Sequence, residues 1–311
     1  MTQLSVSPTQ ELSKSLVWQR FRRNLTAMMG LIIVVMIGLA IVIGPWLYTV
    51  PTDGIDFSQA SQPPTWSHPF GTNDLGQDQL ARVLVGGRIS LAVGLAAMGV
   101  AMSLGVLVGA IAGFYGGWID GLLMRLTDLF LSLPQLPLLL LILYLFQDPV
   151  RALGAAIPVV NAGPDIGTFA LVTIVIGSLN WMAVARLVRA NFLSLKQRAF
   201  IRAVKSMGAK SSRIIWFHLL PNTLAPVIVA ATLAVGTAII TESTLSFLGL
   251  GFPPDIPTWG RMLYDAQNYL ASYPHMAIFP GMAIFLTVLS INYIGDGLRD
   301  ALDPKANIET T

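Results

Sequence analysis

The stretch RLVRANFLSLKQRAFIRAVKSMGAKSSR, residues 186–213, holds eight Lys or Arg in 28 positions and no acid. Uncharged apolar runs flank it on both sides. A basic segment between two membrane spans stays in the cytoplasm, because positive loops resist transfer across the bilayer. Its pattern predicts a helix, a break at Gly208, and a second helix. Phe200, Ala203/Val204 and Met207 recur at helical spacing and predict one apolar face, with Arg198, Arg202 and Lys205 as polar neighbours. Gly208 supplies a φ > 0 C-cap. Ser211 or Ser212 caps a second helix carrying Ile214, Ile215 and Phe217. His218-Leu219-Leu220-Pro221 follows, and Pro221 ends that helix. The expectation is an L-shaped lever, residues 196–221, joined covalently to the next span. Its apolar face suits a groove on a cytoplasmic partner or an anionic lipid surface.

Composition sets the solvent. Of 311 residues, 54% are hydrophobic and 11% charged, and the mean hydropathy is +0.67. Soluble domains carry roughly 25% charged residues, so most of this surface faces lipid. The absence of Cys excludes disulfides, thiolate metal sites and cysteine nucleophiles. His68, His218 and His275 lie far apart in sequence, so no metal site is expected.

A helix needs about 20 apolar residues to cross a bilayer. Runs of that kind extend over 25–50, 89–119, 125–147, 166–185, 222–247 and 276–295. The expectation is an all-α polytopic membrane protein with six transmembrane helices. Residues 1–24 form a cytoplasmic N-terminal tail, 25–50 the first span and 51–87 an outer segment. Residues 88–300 form the core and 301–311 a cytoplasmic C-terminal tail. The first run is too long for a signal-peptide core and is expected to remain as an anchor. Asp78–Arg88 predicts a short amphipathic helix at the outer interface. Pro134 and Pro137 should kink the third span. With both ends inside, fifteen of the nineteen Lys and Arg fall on the cytoplasmic side; Arg82, Arg88, Arg151 and Arg261 fall outside. The reverse orientation violates the positive-inside rule.

Ala101, Gly105, Gly109, Gly113 and Gly117 recur every four residues along the second span. Such a stripe lets helix backbones approach closely in lipid; the partner helix belongs to this chain or to another subunit. Two acids enter the spans, Asp128 and Glu242. A membrane-embedded acid is a candidate functional group. For Asp128 a pairing with Arg125 or a backbone N–H competes with that reading, and for Glu242 a structural role does. A proton relay wants several acids in line, which weighs against a proton-coupled transporter or a channel without an ATPase. The Gly208-Ala209-Lys210-Ser211 stretch lacks the spacing and the strand context of a phosphate-binding loop. Neither H-E-x-x-H nor G-x-S-x-G occurs, so a membrane enzyme is disfavoured and no catalytic residue is assigned.

Arg202-Ala203-Val204-x-x-x-Gly208, nine residues, then His218-x-Leu220-Pro221 resembles the EAA signature of binding-protein-dependent ABC importer permeases. His68-Pro69-Phe70-Gly71-Thr72-Asn73-Asp74-Leu75-Gly76, Gly86–Leu91, Gly113–Gly117, Ser243–Gly251 and Gly295–Pro304 extend the likeness over nearly all of 66–304. The pattern is similar to the second, "C"-type permease of dipeptide, oligopeptide or nickel importers. Arg202 stands where the family has Glu, and Val204 where it has the second Ala. The resemblance implies a type I importer permease fold in the bacterial inner membrane. It implies as partners a homologous permease, two cytoplasmic ATPases and an extracytoplasmic solute-binding protein, with no nucleic acid. The lever residues would be Arg202, Ala203, Val204, Met207, Gly208, Ile214, Ile215, His218, Leu220 and Pro221. This chain would bind no cofactor; ATP and Mg would sit in the partner ATPases.

Overall fold

In lipid a backbone must satisfy its own hydrogen bonds, so apolar runs become helices. The computed structural model describes residues 14–156 and 164–303. The N-terminal tail to residue 13, Lys305, the closing Pro304 and the side chain of Arg151 lie outside the described residues. In chain order the helices are α1 (Lys14–Arg23), α2 (Leu25–Leu47), α3 (Gln79–Tyr115), α4 (Gly117–Ser132), α5 (Gln135–Ala156) and α6 (Pro164–Ser178). They continue as α7 (Trp181–Lys196), α8 (Ala199–Ser206), α9 (Ser211–Ile214), α10 (Leu220–Phe247), α11 (Trp259–Ala266) and α12 (His275–Leu302).

Four helical stretches are long and apolar enough to cross a bilayer unbroken: α2, α3, Ser211–Phe247 and α12. Two bent pairs complete a set of up to six crossings. Gly117–Ser132 meets Gln135–Val150 at 87°, and Ile166–Ser178 meets Trp181–Lys196 at 43°. Pro134 occupies the sharper break, as its missing N–H requires. The expected interface helix at Asp78–Arg88 is not separate. Asp78 caps α3 by accepting from Ala81 N at 2.7 Å, and the helix then runs without interruption to Tyr115.

Contacts sort the helix ends onto two sides. The start of α2 lies beside the end of α12: Phe21, Ala27 and Ala301 share a buried cluster, and Asn24 Nδ2 donates to Asp300 at 3.3 Å. Lys196, at the end of α7, donates to the terminal carbonyls of α3, Gly113 and Phe114. At the opposite end, Pro45 removes the N–H that would have met Ile41 O. Arg88 replaces it, donating Nε to Ile41 O and Nη2 to Val42 O, both at 2.9 Å. The segment between α2 and α3 folds over the start of α12, where Phe70 stacks on Phe279 and His275 Nε2 meets Thr72 O at 3.2 Å.

The glycine stripe settles its own partner. A Cβ on Gly105 would lie 2.5 Å from Val184 Cβ; on Gly109, 2.4 Å from Ala185 O; on Gly113, 2.6 Å from Phe192 Cβ. The stripe therefore packs on α7 of the same chain, and Ala101 is buried in line with it. Gly117 departs from the expectation. It opens α4 at φ +57 after Gly116 at φ +69, with nothing within 4 Å of its Cβ position, so it serves the turn between α3 and α4.

Candidate functional site

The helix, the break at Gly208 and the second helix form where the sequence placed them, with their faces rearranged. In α8, Ile201 is buried and Val204 packs beside it against Val188, Phe192, Ile214, Leu219 and Val227. Phe200, Ala203 and Met207 face outward, and Met207 is 77% exposed. The predicted apolar face was thus split: Val204 turns in, while Phe200, Ala203 and Met207 turn out with Arg202 and Lys205. Ile201, the inward anchor, was not among the predicted lever residues. Its only sequence signal is its spacing from Val204 and Lys205, which also fits a solvated face.

Gly208 adopts φ +79 and closes a Schellman cap. Gly208 N donates to Lys205 O at 3.1 Å and Ala209 N to Val204 O at 3.4 Å. Ala209 and Val204 join the same apolar cluster, the side-chain contact that accompanies this cap. Neither serine caps the next helix through its side chain; Lys210 holds the N-cap position and Ser211 is already helical.

Pro221 does not end that helix. Ile215–Leu219 is one π-helical turn, and Leu220 N donates to Ile215 O across it. The chain then continues into α10 with Pro221 in its first turn. A proline clashes with the carbonyl four residues earlier, and the wider π turn gives that carbonyl room. Asn222 Nδ2 bonds His218 O at 2.6 Å and Thr223 Oγ1 bonds Leu219 O at 2.8 Å, so the loosened carbonyls keep partners. The second arm of the lever and the fifth span are therefore one rod. Ile214 and Leu219 are buried, Ile215, His218 and Leu220 half-buried, and Trp216 and Phe217 exposed at 65% and 73%. With Ser212, Arg213 and His218 these two aromatics line an open hollow of about 900 Å³. Trp216 was absent from the predicted set; in sequence it is one more apolar residue near a span.

The root of the lever is clamped by charge. Arg189 on α7 holds Asp120 on α4 through two bonds, at 2.5 and 2.6 Å. Asp128 pairs with Arg186 on α7 at 2.5 Å rather than with Arg125, and both partners are more than half exposed. Such a pair contributes about 0–1 kcal/mol.

Glu242 is wholly buried near the end of α10 remote from the π turn. It accepts from Ser246 Oγ at 2.8 Å and from Ser90 Oγ on α3 at 3.2 Å. Beyond it, α11 forms one wall of a cleft of about 490 Å³, whose charged lining is Asp53, Asp74, Arg82, Asp255, Arg261 and Asp265. Arg261 bonds Asp265 at 3.0 Å, and buried Arg82 bonds Gln77 at 2.7 Å. Burial pushes the carboxyl of Asp265 up, against the downward pull of Arg261 and Arg82. Among the described residues, no three His, Asp or Glu side chains converge as a metal site.

Comparison with known proteins agrees with this architecture. Residues 105–308 match the family described as "Binding-protein-dependent transport system inner membrane component". Residues 15–64 match the "N-terminal TM domain of oligopeptide transport permease C". The chain is 41% identical over 301 residues to the dipeptide transport system permease protein DppC of Alkalihalophilus pseudofirmus, covering 97% of this chain and 91% of that protein. It is 40% identical over 289 residues to the glutathione transport system permease protein GsiD of Escherichia coli O6:K15:H31, covering 93% and 89%. The same figures hold for GsiD of Shigella boydii serotype 4. The chain belongs to the family of inner-membrane components of binding-protein-dependent transport systems. It is a multi-pass membrane permease subunit of an ABC importer.

Proposed function

We propose that this chain forms, with a homologous permease, the path by which small peptides enter a bacterial cell, and that residues 196–221 are the handle through which cytoplasmic ATPases drive it. The relatives' names supply the substrate class: dipeptides for one, the tripeptide glutathione for the other. ATP and Mg would bind the ATPases, and this chain would contribute no nucleotide site. Both termini and the lever would lie in the cytoplasm, as the charge asymmetry requires. A solute-binding protein would deliver substrate at the opposite face, near the charged cleft.

One observation carries the lever reading. The handle is rooted inward by Ile201, Val204, Ile214 and Leu219, bare outward at Phe200, Met207, Trp216 and Phe217, and fused through the π turn to α10. An exposed aromatic and Met cluster with basic flanks is the surface a partner groove takes up. ATP acts by preferring one of two arrangements of its ATPase pair; a rigid rod transmits that preference to the spans.

Gly208→Val tests it. No atom lies within 4 Å of the Cβ position, so the substitution acts through the backbone alone. A β-branched residue at φ +79 is a steric outlier. The variant should reach the membrane at normal levels and lose ATP-driven peptide uptake. Normal uptake at normal expression would refute the lever.

A further inference from the structure

Resting on the proposed function above, we propose that Glu242 is a positioning residue that links the outer cleft to the driven helix α10. Its carboxylate lies at the meeting point of three elements. Ser246 and Ser243 reach it from α10 at 2.8 and 3.5 Å, and Ser90 reaches it from α3 at 3.2 Å. Thr258, the cap of α11, is buried at the same level, and its hydroxyl accepts from Arg261 N at 3.2 Å. All four hydroxyl-bearing residues are buried, and among the described residues no Lys or Arg pairs with Glu242.

The link continues outward. Ser90 Oγ accepts from Trp259 N at 3.3 Å, and the Trp259 indole donates to Val83 O at 3.0 Å, so α11 is fastened to α3 at two levels. The opposite side of α11 carries Arg261, Tyr264 and Asp265 into the cleft. Backbone approach is close throughout: a Cβ on Gly260 would lie 2.5 Å from Ser243 Cα, and one on Gly86 2.7 Å from Pro257 O. With so little slack, a displacement of α11 cannot leave α10 where it was. A buried carboxylate suits this position because one side chain accepts several hydroxyl bonds at once, and each is costly to leave unmade. A group whose task was packing alone would be cheaper as an apolar residue.

The test uses the complete importer in proteoliposomes with its solute-loaded binding protein. It reads the ratio of stimulated to basal ATP hydrolysis beside uptake and the yield of assembled complex. Ser90→Ala removes the α3–α10 bond with little change of volume, and Glu242→Gln keeps the shape with one acceptor oxygen. Ser103→Ala is the control, because that hydroxyl is exposed and bonds its own helix at Gly99 O. Ser90→Ala should assemble and hydrolyse ATP basally, with stimulation reduced roughly fivefold or more, the lower end of ordinary coupling between sites. Glu242→Gln should show a smaller loss, and Ser103→Ala none. An unaltered ratio in both Ser90→Ala and Glu242→Gln overturns the proposal, as does a loss confined to complex yield. If the unaltered chain brings down no ATPase, the proposed function itself fails, and this link falls with it.

Discussion

At the end beside α11, α10 buries Glu242, Leu245 and Ser246, with glycines bringing backbones into contact. At its other end the same rod leaves Trp216 and Phe217 bare and roots itself through a few residues, Ile214, Leu219 and the α8 anchors. One end is closed by hydrogen bonds that no solvent can replace. The other is an open apolar surface with basic edges. Under the function proposed above, a rod held at one end and gripped at the other would turn a push on the basic side into a tilt of α10, which neither end would achieve alone.

Substitutions at the two ends should fail in different ways. The largest effect falls at the closed end: Gly260→Val sets its side chain against the Ser243 backbone. The assembled complex should be nearly absent from detergent extracts, and a normal yield would show that α11 is not fixed to α10. Next comes the root of the lever. Ile201→Ala should cost about 2–4 kcal/mol locally, with uptake lost and membrane insertion retained. Equal loss of insertion would mean that α8 is part of the folding core rather than a handle. Phe217→Ala, at a 73% exposed position, should change stability by less than about 0.5 kcal/mol. It should weaken ATPase co-purification by about tenfold, as loss of an interface anchor does. The smallest effect belongs to Asp128→Asn. Its exposed pair with Arg186 contributes about 0–1 kcal/mol, so uptake should stay within about twofold of the unaltered chain. Abolished uptake would promote Asp128 to a functional acid.

Much of this was legible without a structure because membrane physics constrains sequence strongly. Lipid demands long apolar runs, so the helical class follows from composition. Gly208 was legible because a C-cap with φ > 0 selects glycine. The faces of α8 were not. A short helix with Phe200, Ile201, Val204 and Met207 is apolar on more than one side, and periodicity does not say which stripe meets the protein. Asp128 finds Arg186 only because α4 crosses α7, a contact 58 residues apart in sequence. Pro221 misled because its rule assumes an α-helical turn before it, and this chain supplies a π turn.

By itself the sequence determined that the chain is helical, that several of its runs are long and apolar enough to cross a membrane, and that the segment after α7 bends at Gly208. Those choices are made by the transfer of single residues and short runs between water and lipid. Only the tertiary structure decided that the glycine stripe meets α7, that Ile201 turns inward, and that Glu242 receives hydroxyls from both α3 and α10. Those are distances between residues far apart in the chain, and they exist only once the backbones have packed.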